Sequence, residues 1–141
     1  LVSSFFFPYF PVNLFIKDLH VADAAQTTMA LGFNYKFTDK TRLGLDYNYY
    51  ADIYAAYNPS DRGTAGAPDA WKMPDYGLFD AVISHSFDFG PFDTNLTARM
   101  NNIFDTEYIS DARDGSGSVA NTALVYYGFG RTFSIGAKLN F

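Results

Sequence analysis

Apolar and polar side chains alternate along most of this chain. From Gln26 to Phe37 one parity carries Thr27, Met29, Leu31, Phe33, Tyr35 and Phe37, and the other Gln26, Thr28, Ala30, Gly32, Asn34 and Lys36. Arg42 to Tyr54 sets Leu43, Leu45, Tyr47 and Tyr49 against Gly44, Asp46, Asn48, Tyr50 and Asp52. Gly77 to Phe89 sets Phe79, Ala81, Ile83, His85, Phe87 and Phe89 against Asp80, Val82, Ser84, Ser86 and Asp88. Thr94 to Phe104 gives Leu96, Ala98 and Met100 against Asn95, Thr97, Arg99 and Asn101. Arg131 to Phe141 closes with Phe133, Ile135, Ala137, Leu139 and Phe141 against Thr132, Ser134, Gly136, Lys138 and Asn140. A period of two is the signature of strands with two chemically different faces. The pattern predicts an all-β chain, an antiparallel meander of about five long strands.

The connections alternate in length. Thr38–Thr41 (TDKT) and Gly90–Asp93 (GPFD) read as tight turns, which join antiparallel neighbours. A turn-rich loop, YNPSDRGTAGAPDAWKMPD, holds three of the six prolines, and a second long loop runs from Asp105 to about Gly130. Short turns on one side and long loops on the other are the habit of outer-membrane barrels. The strands, about 11 to 13 residues each, suit a tilted bilayer crossing of about 9 to 11 residues. Tyr35, Phe37, Phe87, Phe89, Phe92 and Phe141 gather at the short-turn ends; Tyr47, Tyr49, Tyr54, Phe104 and Tyr127 gather toward the loops. Two such girdles fit the two interfaces of a membrane. On this reading Phe33, Leu45, Ile83, Met100 and Ile135 face lipid, and Asn34, Asp46, Ser84, Arg99 and Ser134 face a lumen. Five strands do not close around water, since small membrane barrels use about 8. The chain is therefore expected to be the end of a larger wall, with free edges at its first and last strands.

Composition narrows the function. The 141 residues carry 10 Lys+Arg against 15 Asp+Glu, a net charge of -5. That acidic balance argues against a nucleic-acid partner. Cysteine is absent, which removes disulfides, thiolate metal sites and thiol nucleophiles. Aromatics reach 19%, yet mean hydropathy is near zero and no stretch approaches the roughly 20 apolar residues of a membrane helix. Hydropathy is blind to barrel strands, where only alternate residues meet lipid. Leu1 at the start, and a FFFPYFP stretch with two prolines and no basic residue, do not make a signal peptide. A fragment or processed product is the expectation.

Several stretches resemble one family. Ser134-Ile-Gly136-Ala-Lys-Leu139-Asn-Phe141 looks like the terminal recognition strand of bacterial outer-membrane barrels. NNIFDTEY (Asn101 to Tyr108) resembles the "NLFD..Y" element near the end of TonB-dependent receptors, and YYGFGRTFSIGAKLNF (Tyr126 to Phe141) resembles their closing strand. IKDLHVADAAQTT, LGLDYNYYADIYA, WKMPDYG and EYISDARDG are similar to the Bacteroidetes branch of that family. The resemblance covers roughly Leu14 to Phe141; Leu1 to Asn13 matches nothing in it. It implies a barrel of about 22 strands filled by a plug. It implies import of a scarce nutrient, such as siderophore-bound iron, haem, cobalamin or an oligosaccharide. The inner-membrane TonB complex would supply the energy through an N-terminal region that this sequence does not contain. It further implies that Gly136, Leu139 and Phe141 are read by the barrel-assembly machinery.

The candidate sites follow. Asp46, Asn48, Tyr50, Asp52, Asp80, Arg99 and Lys138 would face the lumen, either along a substrate path or in contact with the plug and with each other across strands. Tyr57, Arg62 and Trp71, with the aromatic run Phe5 to Phe10, could contact a ligand at the mouth. Aromatic surfaces accept sugars, haem and aryl siderophores alike and so do not choose among them. His20 is a weak candidate haem ligand, and His85 reads as interfacial. Asp105, Glu107, Asp111 and Asp114 suggest calcium, but Arg113 occupies a ligand position and a solvated acidic loop reads better. Asn95-Leu-Thr97 spells a glycosylation sequon inside a strand. No HExxH, P-loop or GxSxG occurs, so no catalytic residue and no cofactor is assigned. A soluble carbohydrate-binding β-module and an outer-membrane enzyme are the alternatives.

Overall fold

The computed structural model describes residues 13–90 and 92–140. The FFFPYFP run and the terminal Phe141 lie outside the described residues. The strands are β1 (Thr27–Lys36), β2 (Thr41–Ala51), β3 (Tyr76–Phe89), β4 (Phe92–Asn101), β5 (Ile109–Arg113), β6 (Leu124–Tyr127) and β7 (Thr132–Asn140), with a 3-10 turn at Pro59–Arg62. Five of them form one antiparallel sheet in the order β1-β2-β3-β4-β7, and β5 pairs with β6 separately. The neighbours are those the turns predicted. Among the described residues β1 and β7 each pair on one side only, so the sheet is open.

The register lines up rows of like chemistry. Phe33 lies opposite Leu45, Leu45 opposite Ala81, Ala81 opposite Met100 and Met100 opposite Phe133. Two residues along, the same face carries Tyr35, Leu43, Ile83, Ala98 and Ile135. The row between them, on the opposite face, is Asn34, Gly44, Val82, Arg99 and Ser134. One face is therefore apolar across all five strands, and it is bare: Phe33 is 55% exposed, Ile83 45%, and Phe133 and Ile135 80% each.

The turns are built as the sequence suggests. Thr38 Oγ1 accepts from the backbone N–H of Lys40 (3.2 Å) and Thr41 (3.0 Å), a side-chain turn that brings Lys36 Nζ 2.6 Å from Asp39. Gly90 takes φ 63° in the other turn, a conformation open to glycine.

The buried core sits beside the sheet's loop end rather than against either face. Ile53, Ala55, Met73 and Ala112 form it, with Trp71, Tyr76, Ile109 and Val125 packed around them. Backbone bonds stitch three segments together there. Ala55 N–H donates to Trp71 O (2.9 Å), Met73 N–H to Ile53 O (2.8 Å), Ala56 N–H to Ala112 O (2.8 Å) and Asp114 N–H to Ala56 O (2.8 Å).

Three sequence expectations need correction. The region from Asp105 to Gly130 is no plain loop, because β5 and β6 form a hairpin within it. ISDAR and LVYY are too short, and alternate too poorly, to register as strands. The strand expected to reach Tyr54 stops at Ala51, where Asp52 takes φ 54°; the one expected to reach Phe104 stops at Asn101, before Asn102 at φ 49°. Isolated left-handed residues end both ladders, and Asn and Asp tolerate that conformation best.

Glycine substitutions test this packing. A Cβ at Gly115 would run into the backbone carbonyl of Thr122 across the hairpin tip, whereas one at Gly63, φ -74°, meets nothing within 4 Å. Gly115→Ala is expected to cost about 1 to 3 kcal/mol in denaturant midpoint analysis. Gly63→Ala is expected to be neutral or to gain about 0.4 to 1 kcal/mol. Equal effects would contradict the hairpin's close approach.

Candidate functional site

Apart from Asp52, the lumen-type residues of the sequence analysis lie on the sheet's polar parity, but they do not converge on a single site. Asp46 stands directly opposite Asp80 on the neighbouring strand, and Asn48 opposite Ala30 and Leu78. Two carboxylates facing each other are unfavourable unless one is otherwise engaged. Asp80 Oδ1 is engaged, accepting from Asn102 N–H at 2.8 Å. Arg99 lies opposite Val82 and Ser134, and Lys138 opposite Asn95. Gly136 and Leu139 sit on β7 opposite Thr97 and Thr94.

The structure brings more together at the loop end. Tyr50 on β2 lies opposite Tyr76 on β3, ring centroids 5.1 Å apart, and Tyr76 stacks on Tyr108 at 4.4 Å. Aromatic pairs in such tilted geometry gain about 0.5 to 1.5 kcal/mol beyond their burial. Tyr108 fits because Gly128 beneath it has no side chain; a Cβ there would enter the ring. The sequence contained Tyr50 as a candidate, but not its two partners, which belong to other elements.

Asp52 is not a lumen group in the sense expected from alternation. It lies one residue past β2, and its carboxylate is spent on a local network. Lys72 Nζ sits 2.6 Å from Oδ1, and Thr27 Oγ1 donates to Oδ2 at 2.9 Å. Its backbone N–H donates to Asp75 Oδ1 (3.2 Å), whose other oxygen accepts from Tyr49 OH (3.3 Å). The Lys72 bond, followed by that from Thr27, holds the Asp52 carboxyl below the usual carboxylate range, and the same bond raises Lys72.

A second pin joins the segment before β1 to the same loop. His20 Nδ1 bonds Asp69 Oδ2, its backbone N–H reaches Asp69 Oδ1 at 3.3 Å, and its ring stacks on Tyr54 at 4.1 Å. Burial pushes the Asp69 carboxyl up, but the bonds from His20 and from Ala70 N–H outweigh it and the net shift is downward. The imidazole nitrogen a haem iron could have used on this side is thus occupied. Asp23 behaves oppositely: burial, then the nearby Asp111 carboxylate, raises it.

Arg62, expected as an exposed ligand contact, is buried at 2% exposure. It donates Nη1 to Pro68 O and lies over the Tyr57 ring, 5.7 Å from the centroid. Trp71 is half-buried, packs on the core, and donates its backbone N–H to Asp114 Oδ1 at 3.1 Å. Asp114 is itself buried, so the acidic loop is only partly solvated. Asp105 lies apart from it, accepting from Arg131 N–H at 2.7 Å. Among the described residues no group of three or more His, Cys, Asp or Glu is placed to hold a metal ion.

No protein-family model, curated protein or solved structure matches the chain.

The Asp52–Lys72 pin carries a pH signature. A lowered carboxyl stabilises above its ordinary 3.8 and loses that stabilisation as pH falls through the lowered value. A raised amine stabilises below its ordinary 10.5 and loses that as pH rises through the raised value. The pin therefore acts across the whole interval between. Emission from Trp71, adjacent to Lys72, should stay constant across it and shift at acid pH. Lys72→Met should move the acid transition upward in pH; an unchanged midpoint would remove the pin from the account.

Proposed function

We propose that this chain is the C-terminal part of the wall of an outer-membrane transport barrel of the TonB-dependent receptor kind, taking up a scarce nutrient rather than catalysing a reaction. The observation that carries the reading is the bare apolar face. Phe33, Ile83, Phe133 and Ile135 are among many large apolar side chains left exposed on one side of a five-stranded sheet. Soluble monomers rarely expose contiguous apolar patches beyond about 300 to 600 Å². A hydrocarbon environment removes the penalty, and the alternation that puts polar residues on the other face suits a watered lumen.

The rest of the architecture supports it. The connections β1–β2 and β3–β4 are short, whereas β2–β3 and β4–β7 carry the packed loop segments. Aromatics cluster at both ends of the apolar face: Phe33, Tyr35 and Phe37 at the short-turn end, and Tyr47, Phe79 and Phe104 at the loop end. No helix of the described residues is long and apolar enough to cross a membrane, which says nothing about strands. Two unpaired edges are intolerable in lipid, so further strands are required on both sides. Energy would come from the inner membrane through a TonB-interacting region supplied elsewhere, and the packed loop cluster would stand at the outer mouth.

Charge placed on the two faces tests this. Leu45→Arg on the apolar face should cost about 2 to 4 kcal/mol of folding in a bilayer. Asn34→Arg, one row away on the other face, should be mild. The readout is the fraction of heat-modifiable folded barrel in vesicles. Equal losses would defeat the assignment of faces, and a monomer soluble without detergent would defeat the membrane reading.

A further inference from the structure

At the loop end, segments 105–108 and 127–131 run side by side in opposite directions, but their ladder is interrupted. The register of β5 and β6 sets Ile109 against Tyr127, and Gly128 N–H donates to Tyr108 O at 2.9 Å. Carried two residues further, that register sets Thr106 against Gly130, a pair that an antiparallel ladder would join by two backbone bonds. The Asn102 carboxamide takes Gly130's place. It accepts from Thr106 N–H through Oδ1 and donates to Thr106 O through Nδ2, both at 2.9 Å, and Nδ2 also reaches Phe129 O at 3.3 Å. Asn102 is 3% exposed, so the wedge is held in place. Gly130 N–H and C=O are left with no partner among the described residues. Past the wedge the segments close again, where Arg131 N–H donates to Asp105 Oδ1 at 2.7 Å.

The gap is a recess of about 410 Å³ lined by Asp105, Thr106, Glu107, Tyr127, Gly128 and Gly130. That volume lies within the usual range for small-molecule sites, about 300 to 1,000 Å³. Three of its groups are open to a ligand. Tyr127 is 68% exposed and offers a ring. Glu107 is exposed, and its carboxylate has no partner among the described residues. Gly130 is exposed and has no side chain to cover its free N–H and C=O. Asp105, in contrast, is committed to Arg131, whose Nη2 also lies 3.9 Å from Oδ2.

We propose that this recess binds a neutral saccharide, with the C–H face of a pyranose on Tyr127, neighbouring hydroxyls on Glu107 and a further hydroxyl on the Gly130 backbone. Two carboxylates against one arginine repel anions, which disfavours haem propionates and anionic siderophores. An ammonium group has donors only and leaves the Gly130 N–H unanswered. Hydroxyls both donate and accept, so a sugar meets all three open groups. The inference stands on the loop end alone and holds with or without the barrel reading.

The test is calorimetric titration of the purified full chain in a zwitterionic, sugar-free detergent. The probes are maltotriose, cellotriose, mannotriose and galactotriose, with trigalacturonate as an anionic control and benzylammonium as a cationic one. Saturable binding of at least one neutral trimer is expected, with both controls weaker by about tenfold or more. Tyr127→Leu and Glu107→Ala, both at exposed positions, should each weaken that trimer by about tenfold or more with an unchanged circular dichroism spectrum. No saturable binding of any neutral trimer, equal or tighter binding of either control, or undiminished binding in either folded variant would each overturn the proposal.

Discussion

Between β2 and β3 the ladder sets Leu45 against Ala81 and, one step on, Asp46 against Asp80. Moving either strand by a single residue would bring Leu45 beside a carboxylate and turn every side chain of that strand to the other face. The same holds at each of the four ladders of the sheet. Register is therefore the constraint from which both the continuous apolar face and the mostly polar opposite face derive. The Thr38 side-chain turn and Gly90 fix it at one end. The left-handed residues Asp52 and Asn102 stop it at the other.

The molecule then divides by how it is held. The wall is held by backbone bonds in plane and buries almost nothing on either face. The loop cluster is held as a soluble domain would be, by Ile53, Ala55, Met73 and Ala112 packed out of water. Side-chain pins surround it: Lys72 on Asp52, and His20 on Asp69. All these contacts run between segments far apart in sequence. The segment before β1, the β2–β3 connection and the β5–β6 hairpin are thereby tied into one unit, though none of them is a long regular element. In the proposed setting this gives a transporter mouth a fixed shape rather than a fringe of independent loops.

That division also explains what was legible in the sequence. The five long strands and their neighbours could be read because alternation over about ten residues is a strong signal and tight turns leave few pairings. Their ends were read poorly where a left-handed Asp or Asn, with no marking in the pattern, cut the strand short. The loop cluster was hardly legible at all. Ala55 and Ala112, both fully buried, are indistinguishable from exposed loop alanines by composition. Arg62 looked like a free cation because nothing local announces that Pro68 and Tyr57 close around it. Tyr50 gained its meaning only from Tyr76 and Tyr108, which two different connections deliver to it.

The chain has a single tryptophan among its 27 aromatic Phe, Trp and Tyr residues, 15 Phe, 1 Trp and 11 Tyr, and that tryptophan is Trp71. Its backbone is bonded to Ala55 and Asp114, and its indole packs on the buried cluster away from both faces of the sheet. Indole emission from this protein is thus a local signal from the loop cluster, silent about the wall, whereas far-ultraviolet circular dichroism is dominated by the wall. Optical spectroscopy separates the two halves of the molecule without any label, because one large side chain was placed in only one of them.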